Sequence, residues 1–171
     1  MDRADDVDRL TKQLADVQSD SVAFSKQRIM SSNGEVALFY AARTVTGQTA
    51  PNGDYPFYVF PQVSLGELVR TSPKTPSAAR RSKDAYLAIN SKRCDIVLAD
   101  NTGLPVAVFE YQGAGHHSGT ASLRDEVKRL AVTRAGIRFV EIPDGAGSNQ
   151  IRSMIRDSLP VAAPPPTTGR L

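Results

Sequence analysis

Cys94-Asp95-Ile96-Val97-Leu98-Ala99, then Asn101-Thr102-Gly103, then Pro105-Val106-Ala107-Val108-Phe109-Glu110-Tyr111: this stretch decides the fold. Two apolar runs rich in β-formers flank a turn signal, so they read as a β-hairpin. Runs this continuously apolar suit strands covered on both faces of a sheet. Two carboxylates interrupt them. Asp95 sits near the start of the first run and Glu110 at the end of the second. The midpoint between 95 and 110 falls in the turn, so a tight hairpin makes them cross-strand neighbours. Adjacent carboxylates repel and are tolerated when a cation lies between them; oxygen-only ligands suit Mg²⁺ or Mn²⁺. The alternative is that each pairs with a different Lys or Arg of the basic block between Arg70 and Arg93. Spacing alone leaves both readings open.

Downstream of the hairpin, Gly113 to Thr120 reads as a flexible loop. Ser122 to Ala135 reads as a helix with Leu123, Val127, Leu130, Ala131 and Arg134 along one face, capped by Ser122 and ended by Gly136. Ile137 to Ile142 is a third buried strand, and the helix before it suits a crossover. Ser148 to Leu159 is a last amphipathic helix, and residues 161–171 form a Pro-rich tail expected to be disordered.

Upstream, Ser31-Ser32-Asn33-Gly34-Glu35 looks like a helix start, with Glu35 in the first turn where a negative charge is favoured. That helix ends at Gly47, and Asn52-Gly53-Asp54 is a turn. Phe57 to Leu65 is rich in β-formers, although Pro61 points to an edge strand or a bulge. Thr71 to Ser82 reads as an exposed loop. At the N-terminus, Val7, Leu10, Leu14 and Val17 form one apolar stripe on a helix over residues 2–18. The stripe is either a short coiled-coil seam that makes a homodimer or a helix docked on its own domain.

The 171 residues suit one domain plus tails, and 40% of them are hydrophobic, enough for an ordinary core. A single Cys excludes an intramolecular disulfide framework and a Cys-rich zinc site. No apolar run approaches the roughly 20 residues of a membrane span, and the acidic N-terminus lacks the basic region of a signal peptide. The expected setting is the cytoplasm. The formal charge of +3 hides an asymmetry. Residues 1–20 carry six Asp against three basic residues, a net −3. Between Arg70 and Arg93, seven basic residues face one Asp, a net +6. A block like this is either a solvated loop or the footprint of a polyanion.

The ordered set Asp95, Glu110-Tyr111-Gln112-Gly113, His116, then Asp125 with Lys128 or Arg129, then Ala135-Gly136-Ile137, resembles the PD-(D/E)XK nuclease superfamily. The branch it resembles contains the very-short-patch-repair (Vsr) endonuclease and uncharacterised bacterial relatives. Glu35, the segment Tyr58 to Leu65 and Ile89-Asn90-Ser91-Lys92 fit the same pattern. The resemblance implies an α/β, restriction-endonuclease-like α-β-β-β-α-β core over about residues 25–160. Its central mixed sheet is flanked by helices, and residues 1–20 add an N-terminal helix. It implies Asp95 and Glu110 as ligands to Mg²⁺ or Mn²⁺, Glu35 as an accessory carboxylate, and DNA as partner. The activity implied is that of a Mg²⁺-dependent endonuclease or nickase. Arg80, Arg81, Lys83, Lys92 and Arg93 are then the DNA-binding side chains.

One position departs from the pattern. Where the superfamily has Lys, two residues after the Glu, this chain has Gln112, which coordinates through its carbonyl but carries no charge. Lys128 or Lys92 can replace the missing ammonium, and His116 or His117 can act as base or acid. If none does, the chain is a DNA-binding or assembly module without catalysis. Plainer readings stand beside these. Glu35 can be a helix-dipole partner only, and Asp125 with Lys128 an ordinary surface ion pair. Cys94 reads as a buried thiol.

Overall fold

A computed structural model describes residues 3–47, 57–113 and 120–160. In chain order the elements are α1 (Arg3–Gln18), α2 (Asn33–Gly47), β1 (Phe57–Ser64), α3 (Leu65–Leu68), a 3-10 turn (Pro76–Ala78) and α4 (Ala79–Ile89). They continue with β2 (Arg93–Asp100), β3 (Pro105–Gln112), α5 (Thr120–Arg134), β4 (Arg138–Pro143) and α6 (Ser148–Ser158). The four strands form one mixed sheet in the order β1-β2-β3-β4. β1 to β3 run antiparallel, and β4 runs parallel to β3. A parallel neighbour needs a crossover, and α5 provides it. From α2 onward the order is the α-β-β-β-α-β expected from the sequence, with α3 and α4 inserted before β2 and α6 added at the end.

The β2–β3 hairpin pairs Ile96 with Phe109, Val97 with Val108 and Leu98 with Ala107. Continued by one residue, this register sets Asp95 opposite Glu110. Asp100 closes the turn: its Oδ1 accepts from the backbone N–H groups of Thr102 (2.9 Å) and Leu104 (3.0 Å). β1 lies at the sheet edge, where a Pro61 without an N–H is tolerated.

Helices cover both faces of the sheet. On one, Leu38, Ala41 and Ala42 of α2 and Ile151 and Ile155 of α6 pack on Ile96, Leu98, Phe109 and Ile142. On the other, Leu65, Val69, Ile89 and Val132 pack on Cys94, Val97 and Val108. No helix among the described residues is long and apolar enough to cross a membrane.

Three expectations are corrected. Thr71–Ser82 is not a loop throughout: the chain turns helical at Pro76, and α4 carries Arg80, Arg81 and Lys83. Pro at the start of a helix and the alanines after it favour this. Only Ile89 of α4 is buried, so no apolar stripe announces the helix. Ser122 does not cap α5, which starts at Thr120. The face that α5 turns to the sheet is also rotated from the expected one. Leu123 and Leu130 are exposed, whereas Val132 is buried with Val127 and Ala131 beside it. The same rotation turns Lys128 inward, where its ammonium reaches Glu110. The Asn52-Gly53-Asp54 turn, most of the Gly113–Thr120 loop with His116 and His117, and the tail over 161–171 lie outside the described residues.

Candidate functional site

Glu35 is placed by the start of α2. Ser32 caps the helix, its Oγ accepting from the Glu35 backbone N–H at 3.1 Å. The Glu35 carboxylate folds back to accept from the Ser31 backbone N–H (2.9 Å) and hydroxyl (2.7 Å). This resembles a capping box displaced by one residue. The turn can lie close to the end of β3 because residue 34 is glycine. A Cβ there would overlap the Tyr111 ring, whose hydroxyl bonds Asp144.

Gln62 joins that helix to the sheet. It lies in β1 between the pairs Pro61–Ile96 and Val63–Cys94, level with Asp95. Its φ of 55° is in the left-handed region, which non-glycine residues rarely adopt. From there its side-chain Nε2 donates to Glu35 Oε2 at 3.1 Å and to Asp95 Oδ1 at 3.4 Å. The other Asp95 oxygen, Oδ2, accepts from the Tyr111 backbone N–H at 2.9 Å.

Glu110 is 6% exposed, the one buried carboxylate among the described residues. Its Oε2 bonds Lys128 Nζ, contributed by the inner face of α5. Its Oε1 is buried and accepts no hydrogen bond from any described residue. Burial, reinforced by the charge on Asp95, raises the Glu110 carboxyl to about 7 against the pull of Lys128. Burial also raises Asp95, opposed by its hydrogen bond from Tyr111 and by the charge on Lys128. For Lys128, burial acts to lower the ammonium, but the Glu110 charge and hydrogen bond outweigh it and the net shift is upward. Cys94 is fully buried, and burial pushes its thiol up to about 12, so it is no nucleophile.

The structure therefore brings Glu35, Asp95, Glu110 and Lys128 to one end of the sheet. Gln112 is adjacent but turned to Glu141, to which it donates at 3.1 Å. Lys92 is half-buried and holds the α4–β2 turn through its backbone, its carbonyl accepting from Leu65 N–H at 2.7 Å. Arg80, Arg81, Lys83 and Arg93 are exposed. The first three crowd the N-terminal half of α4, where positive charge opposes the helix dipole. His116 lies outside the described residues. Among those described, no three His, Cys, Asp or Glu side chains lie close enough to cage a metal ion. A separate open groove of about 640 Å³, lined by Phe39, Tyr40, Arg43 and Tyr58 among others, lies at the far end of α2 from Glu35.

Sequence reasoning had not given Gln62 a role. The filter that selects Asp95 and Glu110, a polar side chain inside an apolar strand, also selects Gln62 within Phe57–Ser64.

Fold and site together define a small α/β domain with a buried glutamate, a half-buried aspartate and a lysine at one end of a mixed sheet. The chain belongs to the family described as protein of unknown function (DUF2726), whose model matches residues 26–159. An uncharacterized protein of Haemophilus influenzae is 34% identical over 126 residues, covering 74% of this chain and 60% of that protein. The chain thus spans only part of that relative's length. The uncharacterized protein y4bI of Sinorhizobium fredii is 38% identical over 112 residues, covering 62% of this chain and 75% of that protein. No solved structure matches the chain.

Proposed function

We propose that this chain is a Mg²⁺- or Mn²⁺-dependent DNA endonuclease or nickase of the PD-(D/E)XK kind, acting in the bacterial cytoplasm. The observation that carries the reading is the buried Glu110 beside the half-buried Asp95, with Lys128 bonded to Glu110. A fold gains little stability from two partly desolvated carboxylates side by side, so their pairing points to chemistry.

The donors suit such an ion. They are oxygens, and among the described residues the buried Glu110 Oε1 has no hydrogen-bond partner. Mg²⁺ takes one or two protein carboxylates and completes its shell with water and phosphate, so a third protein carboxylate is not required. Asp95 and Glu110 are the residues to hold it. A divalent ion there supplies charge neutralisation at the phosphate and a more acidic water.

The chain's own groups supply the rest. Lys128 places an ammonium beside the acidic pair, where it can neutralise charge developing on a phosphodiester or move a proton. It stands in for the lysine absent at Gln112. Gln62 fixes Glu35 and Asp95 at a set spacing by donating to both. Arg80, Arg81, Lys83, Lys92 and Arg93 take the flanking phosphates.

Supercoiled, linear and single-stranded DNA incubated with Mg²⁺ or Mn²⁺ test this. Nicking or cutting is expected, and is lost in D95A and E110A. Intact DNA on every substrate, or cleavage undiminished in both variants, overturns the reading.

Gln112 favours a second reading, a non-catalytic DNA-binding or assembly module, because its uncharged amide is engaged by Glu141. On that reading DNA binding is salt-dependent, survives loss of Asp95 and Glu110, and weakens when Arg80, Arg81 and Lys83 are neutralised.

A further inference from the structure

Val7, Leu10, Leu14 and Val17 are each between 55% and 60% exposed. They form one stripe along α1, which lies before the residues matched by the family model. In heptad terms Val7 and Leu14 take the a positions, and Leu10 and Val17 the d positions.

The flanks of the stripe say what covers it. Asp5, Asp8, Arg9, Lys12 and Asp16 all fall at the outer b, c and f positions. The flanking e and g positions hold Asp6, Thr11, Gln13 and Gln18. Asp6, the one charge among these four, is paired with Arg9 of its own helix at 3.0 Å. The Thr11 hydroxyl donates to the Val7 carbonyl at 2.8 Å, so it brings no unsatisfied donor to the seam. A nucleic acid or a strongly charged protein would call for charged flanks of the opposite sign. Largely uncharged e and g positions suit an identical surface, because they keep the net −3 of residues 1–20 at the outer positions and away from the seam.

Orientation follows from the same positions. In a parallel pair, Asp6 lies beside Thr11 of the second copy. In an antiparallel pair it lies toward Asp20, a like charge at the next g position, two residues beyond the end of α1. We propose that α1 is a self-association helix, pairing two copies of this chain as a short parallel coiled coil through Val7, Leu10, Leu14 and Val17. With only two heptads, about 24 Å of helix, the pairing is concentration-dependent. It stands independently of the nuclease reading.

Sedimentation or light scattering of the full chain over a concentration series tests it. The mass is expected to rise from 18.4 kDa toward twice that value. Added salt should not weaken the rise, because no opposite charges pair across the seam and the two net −3 segments repel less when screened. L10A/L14A keeps helix propensity while removing the apolar contacts, so it should stay at monomer mass with the domain's thermal midpoint unchanged. Under mild oxidation V17C alone should form a covalent dimer, Cys94 being fully buried. A wild-type mass of one chain throughout, or a dimer that persists in L10A/L14A, overturns the proposal. Cross-linking only in a mixture of V7C and V17C overturns the parallel orientation.

Discussion

The two faces of the sheet are built to different ends. Under α2 and α6 the core is built from Leu38, Ile96, Leu98, Phe109, Ile142, Ile151 and Ile155, and the buried hydroxyls of Thr46 and Ser158 bond backbone carbonyls of their own helices. Under α3, α4 and α5 the layer is made of smaller residues such as Cys94, Val97, Val108 and Val132, and beside it lie Glu110 and Lys128. One hairpin serves both. Phe109 enters the apolar core, and its neighbour Glu110 enters the site, because successive strand residues face opposite sides. A fully buried ring and a buried carboxylate are thus set on opposite faces of one strand.

The largest expected effect lies in the apolar face. Phe109→Ala removes a fully buried ring and should destabilise the domain by about 3–5 kcal/mol, read by urea or thermal unfolding. The loss should be independent of pH. A loss much smaller than that would break the division.

The second effect belongs to the other face and depends on pH. Glu110 sits at about 7 in the fold against an ordinary value of 4.5. Between those values the folded chain keeps a proton that the unfolded chain has released. This contribution to stability is therefore fully present below pH 4.5 and is lost as pH rises through about 7, a change of up to about 3 kcal/mol. Glu110→Gln should flatten that part of the profile. An unaltered slope in the variant would place the titration elsewhere.

Gln62→Leu sharpens the comparison, because it touches the site and not the core. Two carboxylates lose a shared donor, which should lower stability by about 1–2 kcal/mol. Cleavage should fall at least tenfold at saturating metal. Equal losses of stability and activity would reduce Gln62 to a structural tie.

The smallest effect on stability comes from the exposed basic helix. Neutralising Arg80, Arg81 and Lys83 to Gln should change the unfolding free energy by no more than about 0.5 kcal/mol. It should reduce the logarithmic salt slope of DNA binding by roughly 2–3. Unchanged affinity would show that these side chains only keep the helix soluble.

Much of this plan was legible in local sequence. The β2–β3 hairpin, its turn and the register that sets Asp95 opposite Glu110 follow from a contiguous stretch. The apolar stripe on α1 follows from spacing, because an exposed helix has no tertiary context to override it. The helix over Ala79–Ile89 was hidden, since a helix with one buried residue leaves no periodic signal. Lys128 was visible only as one of two possible substitutes for the missing lysine, because its reach depends on the rotation of α5.

By itself the sequence determined the strands, the hairpin partners of the acidic pair and the uneven spread of charge, all set by interactions within a few residues or one turn. Tertiary structure alone decided that Lys128 and not Gln112 meets Glu110, and that Gln62 ties Glu35 to Asp95. Those contacts span 18 to 33 residues of chain. They depend on how a crossover helix is rotated and on a left-handed backbone at one strand position, and neither quantity is written in local propensity.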